Sequence, residues 1–479
     1  MTTPNDPANL SAVSARRLIG AKALSPVELF DACVARTEQT NPTLNAVVSM
    51  DIDMGREAAR AAERAVMAGE ALGALHGIPV AIKDNRAVKG LRTTFGSLLY
   101  ENHVPDADDP SVTALKAAGA VVFQKTNLPE FGAGANTINR VFGATGNPFG
   151  PNLTSAGSSG GSAAALAAGM TPLATGSDYG GSLRTPAAFC GVAGFRPSLG
   201  VCPLSEGAPC SPWGVNGPMA RTVADMHLLL TAMAVHEPDD AFSSPDAVIA
   251  PLHVADISAL RIAFSEDLGA APISKAIRTL FRERMGQVES LAGKAAWAEP
   301  DFGPIHDVFE ITRGVSFLAA HAERVAKHRD LLDRNVVDNC ERGMSYGASD
   351  VGWAHKEQGL LHRRVLRFFE EFDVLIAPAA SVAPFPHSQL FVEEIDGEAM
   401  PTYMRWLAIS YMPTLALCCS AAVPCGTDAN GLPFGIQIIG PPGADNRVIA
   451  VAAAVEAVLA QSPASARPTP DITALSGGG

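Results

Sequence analysis

Residues 9–70 read as helices, before the apolar runs of the core begin. Ser25-Pro26-Val27-Glu28 supplies a cap residue, a proline for the first turn and an acid at the positive end of the helix dipole. The Ala/Glu/Arg-rich stretch 54–69 continues in the same manner. From His76 the texture changes to short apolar runs broken by glycine. The runs 78–82 and 120–123 predict strands, with a helix over 111–118 between them, so a sheet covered by helices is expected. Residues 162–170 are small and apolar on every side, which predicts a buried helix packed closely on that sheet.

Beyond the core the pattern loosens. The Pro-rich polar stretch 236–258 reads as an excursion over the surface, and 272–293 and 305–370 read as helical. An apolar strand follows at 374–377, then a long loop through 378–400, strands around 414–424 and 434–439, and a closing helix at 446–460. From 462 the chain is rich in Pro, Ser and Gly and is expected to be mobile. No internal repeat is visible. The expected organisation is a helical segment 1–70 packed on a core 71–235, a mostly helical variable region 236–415 around the pocket, returning core elements 416–461, and the tail 462–479.

Composition narrows the classes. The 479 residues are 47% hydrophobic and 18% charged, enough to bury a large core. Net charge is −13, which repels phosphate backbones and anionic lipid, so neither nucleic acid nor membrane is expected as a partner. The densest basic spot, Arg363, Arg364 and Arg367, reads as a solvated helix face. The first ten residues lack a basic and an apolar region of the export type, so a cytoplasmic location is expected. The apolar stretch 407–423 carries Ser410, Pro413, Thr414 and Ser420, which suits a buried strand and its approach loop better than a span. Eight cysteines show no C-x-x-C pair and read as free thiols, the adjacent Cys418 and Cys419 as strand core. Eleven histidines show no metal-ligand spacing, so no metal and no cofactor is expected.

The chemistry concentrates in two serine clusters, Gly157-Ser158-Ser159-Gly160-Gly161-Ser162 and Gly176-Ser177-Asp178-Tyr179-Gly180-Gly181-Ser182 running on through Leu183-Arg184-Thr185-Pro186. Ordering glycine costs conformational entropy, and each cluster abuts an apolar segment, so a shaped site is favoured over a linker. Successive peptide N–H groups of Tyr179, Gly180, Gly181 and Ser182 could form a concave nest for a developing oxyanion, with Ser182 at its edge. A serine hydroxyl needs a base, and no histidine lies near either cluster. Lys83 ends the apolar run of His76-Gly77-Ile78-Pro79-Val80-Ala81-Ile82 and is followed by Asp84-Asn85. Desolvation there lowers a lysine toward a value at which the neutral amine accepts a proton. On this segment alone, a lysine snorkelling at a strand end accounts for Lys83 better than a base does.

Both clusters, the strand ending in Lys83-Asp84-Asn85, the segment Lys125-Thr126-Asn127-Leu128-Pro129-Glu130-Phe131, the run Gly217-Pro218-Met219-Ala220-Arg221, and Gly431-Leu432-Pro433-Phe434-Gly435 closely resemble the amidase signature family, over nearly the whole chain. In that family the catalytic unit is a serine, a second serine in a cis peptide, and a lysine, and the two serines stand 24 positions apart, as Ser158 and Ser182 do here. The resemblance implies a single large α/β domain with a twisted mixed sheet covered by helices on both faces. It implies that Ser182 attacks an amide carbonyl to form an acyl-enzyme, that Ser158 passes the proton, and that Lys83 is the base. Tyr179, Gly180, Gly181 and the Ser182 amide would form the oxyanion hole. Asp178 and Arg184 would hold the loop, while Ser159 and Ser162 read as capping or loop hydroxyls. Ala156 and Arg196-Pro197-Ser198 depart from the family pattern without touching the three catalytic positions.

Two rivals remain. Gly157-Ser158-Ser159-Gly160-Gly161 also matches the nucleophile elbow of α/β-hydrolases, with Ser159 as nucleophile, although 147–154 before it is not an apolar strand. An amidotransferase A-type subunit, working in a complex, would share the fold; the acidic balance argues against work beside tRNA. By resemblance the loop Phe131-Gly132-Ala133 and the region 300–415 would line the pocket. Phe131, Trp406 and Tyr411 suit an aryl or apolar group and suit core packing equally. No arginine near the motifs demands a carboxylate. The expected substrates are a small neutral apolar or aryl amide and water, with carbamates and esters open, and homodimers are common in the family.

Overall fold

The structure is a computed structural model that describes residues 6–204 and 210–476. Among these residues eleven strands form one sheet: Val47–Met50 (β1), Val80–Lys83 (β2), Gln124–Thr126 (β3), Leu173–Asp178 (β4), Ala193–Arg196 (β5), Val215–Ala220 (β6), Arg261–Phe264 (β7), Lys294–Trp297 (β8), Val374–Pro378 (β9), Cys419–Thr427 (β10) and Pro433–Gly440 (β11). Their order is β1-β3-β2-β4-β6-β5-β10-β11-β9-β7-β8. β2 runs parallel to β3 and β4, the middle of the sheet from β4 to β9 is antiparallel, and β9, β7 and β8 are parallel again. Strands covered on both faces lose their polar alternation, and β2, β5, β6, β9 and β11 are buried at every position.

The helices that matter for the site are Pro26–Leu44 (α1), Ile52–Ala68 (α2), Gly160–Ala167 (α3), Arg184–Cys190 (α4), Ile305–His328 (α5), Arg334–Ser345 (α6) and Ala408–Leu415 (α7). α1 starts as its sequence predicts: Ser25 Oγ accepts from the Val27 and Glu28 amides, and Pro26 occupies the first turn. α3 and α4 are buried at every residue. Small side chains make this close packing feasible, because a Cβ on Gly161 would stand 2.3 Å from the Asn127 nitrogen.

Several elements differ from expectation. β1 interrupts the run of N-terminal helices and pairs with β3, four residues being too few to show a strand period. β3 itself lies at 124–126, just beyond the apolar run 120–123. The stretch 407–423 begins as helix α7, with Pro413 inside it, before β10 starts. The region 236–415 contributes β7, β8 and β9 to the sheet, so it is more than a helical surround. The tail is packed as far as 476: Ile472 and Leu475 are buried, and the Leu475 carbonyl and Ser476 Oγ accept from Thr43 and Gln39 of α1. Residues 477–479 of the expected mobile tail lie outside the described residues.

Candidate active site

Lys83, the last residue of β2, is fully buried, and its Nζ lies 2.7 Å from Ser158 Oγ, 2.9 Å from Ser159 Oγ and 3.0 Å from Ser177 Oγ. Among the described residues no carboxylate pairs with it. The contrast is one strand away, where the equally buried Lys125 pairs with Asp84 at 3.1 Å and donates to Thr93. A charge stripped of water without a counter-ion is costly, so burial pushes Lys83 well below the usual lysine value. Arg86 adds to that depression and Asp178 opposes it.

Ser158 follows a cis peptide bond after Gly157 and precedes α3. Ser182 stands between β4 and α4, and its carbonyl accepts from the Ser159 amide at 3.2 Å, which ties the two loops together. Ser182 is half-buried, and its hydroxyl makes no hydrogen bond among the described residues. The three residues singled out by sequence thus meet at one place, Lys83 and Ser158 in contact and Ser182 beside them with a free hydroxyl.

Asp178 holds the loop in shape. Its carboxylate accepts from Arg184 Nε and Nη2 at 3.0 and 2.9 Å, and from the Gly181 and Leu183 amides at 2.9 and 3.1 Å. Arg196 donates to the Asp178 carbonyl at 2.7 Å and lies 3.7 Å from Oδ1. Burial alone would raise this carboxyl, but the two guanidinium groups outweigh it and hold it well below the usual carboxylate range. Of the four amides expected in the oxyanion nest, the Gly181 N–H is directed at Asp178 in this structure. The Tyr179, Gly180 and Ser182 amides have no acceptor among the described residues, and Gly181, at φ 113°, provides the turn that a side chain would strain.

Ser159, expected as a capping or loop hydroxyl, bonds the loop backbone and also reaches the lysine. It makes no side-chain cap to α3; its Oγ instead contacts Lys83, accepts from the Ser177 amide and donates to the Ser177 carbonyl. The hairpin before it, Gly146–Asn147 with Gly150–Thr154, lies outside the large sheet, so no central strand feeds an elbow at Ser159. Ser162 reads as a structural hydroxyl, bonded to Thr126 and to the Thr175 carbonyl. Ser177, which completes the shell around Lys83, was the residue to find in Gly176-Ser177-Asp178; its only signal was its place in that cluster.

A cavity of about 590 Å³ opens beside the lysine, lined among others by Asn85, Phe95, Tyr100, Phe131, His321 and Arg324. Asn85 donates to Ser177 at 3.2 Å, which brings the cavity to the edge of the cluster, and Gly132, next in the chain to the lining Phe131, would carry a Cβ 3.3 Å from Ser158 Oγ. Ala133 is buried against α6. On the other side Gly180 faces Met404 and Phe309, and Phe309 stacks on Tyr411 at 3.8 Å. Trp406 is fully buried against Phe189 and Phe385 and is core. A second cavity, of about 520 Å³, lies against α2 and His76 and contains none of the serines.

Comparison with known proteins places the arrangement. The Amidase family model matches residues 28–449, and the chain belongs to that family, the amidase signature enzymes. It is 32% identical to an acylamidase of Rhodococcus erythropolis over 454 residues, covering 94% of this chain and 95% of that one. It is 33% identical to the A-type subunit of the glutamyl-tRNA(Gln) amidotransferase of Thermosynechococcus vestitus, covering 88% and 92%. The crystal structure of a bacterial aryl acylamidase of the amidase signature enzymes superimposes with a TM-score of 0.85 at 27% identity, covering 95% of this chain and 96% of that one. The protein is an amide hydrolase that acts on an amide substrate with water.

Proposed function

We propose that Ser182 is the nucleophile, Ser158 the proton relay and Lys83 the base. The observation that carries this reading is a buried lysine with three hydroxyl neighbours and, among the described residues, no counter-ion. Proton accounting assigns its bonds. Ser159 gives its own proton to the Ser177 carbonyl, so its oxygen accepts from Lys83, and Ser177 Oγ, which accepts from Asn85, has a second lone pair to take the other N–H of Lys83. A neutral amine has two protons to give and one lone pair, and the lone pair is left for the Ser158 hydroxyl.

Substrate binding brings the Ser182 hydroxyl within reach of Ser158, as contacts that are open without substrate tighten around it. Ser182 Oγ bonds to the amide carbon while its proton passes to Ser158 and that of Ser158 to Lys83, which becomes the ammonium. The Tyr179, Gly180 and Ser182 amides receive the oxyanion. As the C–N bond breaks, Lys83 returns the proton through Ser158 to the departing nitrogen. Water then attacks the acyl-enzyme by the same relay and releases the acid and free Ser182.

The substrate is an amide with an aryl or apolar group. Supporting this are the aromatic walls at Phe131 and at Phe309–Tyr411, and the acylamidase names carried by relatives. The amidotransferase relatives favour a second reading, in which the chain works within a complex. A single purified chain assayed on anilides, aliphatic amides, carbamates and esters separates the two. Turnover of an anilide without any partner, lost in Ser182→Ala, supports the hydrolase; loss in Ser159→Ala with Ser182→Ala active would move the nucleophile to Ser159.

A further inference from the structure

The cavity beside the cluster is lined by hydrogen-bond donors that the surrounding residues use only in part. Arg324, on α5, projects over Phe131, its guanidinium carbon 5.2 Å from the ring centroid and 6.0 Å from that of Tyr100. Its Nη1 donates to the Ala320 carbonyl at 2.7 Å and its Nη2 lies 3.4 Å from Tyr100 OH. Among the described residues no carboxylate pairs with it, whereas the other cation in the lining, Arg86, has Asp109 at 3.8 Å.

Arg324 also fixes its neighbour. Nη1 lies 3.3 Å from His321 Nδ1, and since a guanidinium can only donate, Nδ1 must accept and the imidazole proton sits on Nε2. Burial, with the Arg324 charge, depresses His321 to about 4, so the ring is neutral at neutral pH. Its Nε2–H has no acceptor among the described residues. Phe95, Tyr100 and Phe131 wall the same space with rings whose centroids lie 5.2 to 6.3 Å apart. A cavity with flat aromatic walls and cationic or N–H donors at one end is complementary to a flat group that ends in an anion.

We infer that this cavity binds the nitrogen-side group of the substrate, and that the preferred group is aromatic and carries a carboxylate that Arg324 and His321 receive. The side follows from the relay: Ser158 reprotonates the departing nitrogen, and Gly132, next in the chain to the lining residue Phe131, would carry a Cβ 3.3 Å from Ser158 Oγ. The inference rests on the proposed roles of Ser158 and Lys83, and it replaces the wholly neutral substrate expected from sequence with one charged at its far end. Three carboxylates share the lining: Asp108 is paired with Lys116 at 2.8 Å, Asp109 faces Arg86 at 3.8 Å, and Asp106 is exposed, where solvent weakens its repulsion of such a group.

The test pairs 4-acetamidobenzoate with its uncharged counterpart 4-acetamidobenzamide, measuring kcat/KM, and pairs 4-aminobenzoate with 4-aminobenzamide, measuring binding by calorimetry. Both use the full chain, with folding of each variant checked by melting. The wild type should favour the carboxylate member in both assays. Arg324→Gln should lower the kcat/KM ratio of charged to uncharged substrate by roughly 10- to 100-fold, the range for a hydrogen bond to a charged group, and Arg324→Lys should recover part of it. A ratio unchanged in Arg324→Gln, or a wild type that favours the uncharged member, overturns the inference. Binding preference for 4-aminobenzoate without turnover of any amide would instead sink the hydrolytic roles and leave the anion site standing.

Discussion

Replacing Asp178 with asparagine probes the loop that carries Ser182. Asp178 and Arg184 are both fully buried, and the carboxylate accepts four hydrogen bonds, two from Arg184 and two from loop amides. In Asp178→Asn one of the two oxygens becomes an NH2 that opposes N–H donors, and Arg184 and Arg196 lose their shared counter-charge. Breaking a buried ion pair from one side costs about 3–5 kcal/mol, a large share of the roughly 5–15 kcal/mol that holds a domain folded. Equilibrium urea unfolding, followed by tryptophan fluorescence with refolding checked, should show that loss at pH 7, and kcat should fall with it because the Gly181 turn is released. The pH dependence has a definite sign. A carboxyl held below its ordinary value stabilises fully above about pH 4 and loses that contribution as pH falls through its folded value. The gap between wild type and variant should therefore hold from pH 7 to about 4 and narrow only below that. A loss under about 1 kcal/mol at pH 7 with kcat unchanged would refute the reasoning.

Two further outcomes follow from the site. Arg86→Gln removes a cation that helps depress Lys83, so the acid limb of the kcat/KM profile should move to higher pH; a limb that stays in place or moves lower would contradict the tuning. Gly132→Ala puts a methyl against Ser158 Oγ at a φ of 74°, and kcat should drop by up to about 100-fold, as for other small displacements of reacting groups; unchanged kcat would show that the Ser158 hydroxyl does not need that position.

What was legible in the sequence follows how local each signal is. Ser25-Pro26 and the small-residue run of α3 are read within one turn of helix, and both elements form where expected. Lys83 could be placed at a strand end, but on its own segment it looked like a snorkelling lysine. Its polar surroundings come from Ser158, just before α3, and Ser177 on β4, which lie 75 and 94 residues along the chain. The same distance hid Ser177, a small polar residue in a strand, and hid the ring and guanidinium contacts of Arg324, which join α5 to a loop far upstream. The Gly181 amide looked available because nothing local shows that the Asp178 carboxylate turns back onto it. The tail looked mobile because only Ile472 and Leu475 are apolar enough to dock on the helices it meets.

The most direct test of the relay is to quench the purified chain during turnover of an anilide and map any acylated residue by mass spectrometry. The account predicts an acyl group on Ser182 in the wild type and none in Ser182→Ala. It also predicts that Lys83→Met, which keeps the buried volume but removes the base, accumulates no acyl-enzyme above pH 7. An acyl group on Ser158, Ser159 or Ser177, or normal acylation of Ser182 in Lys83→Met, would contradict it.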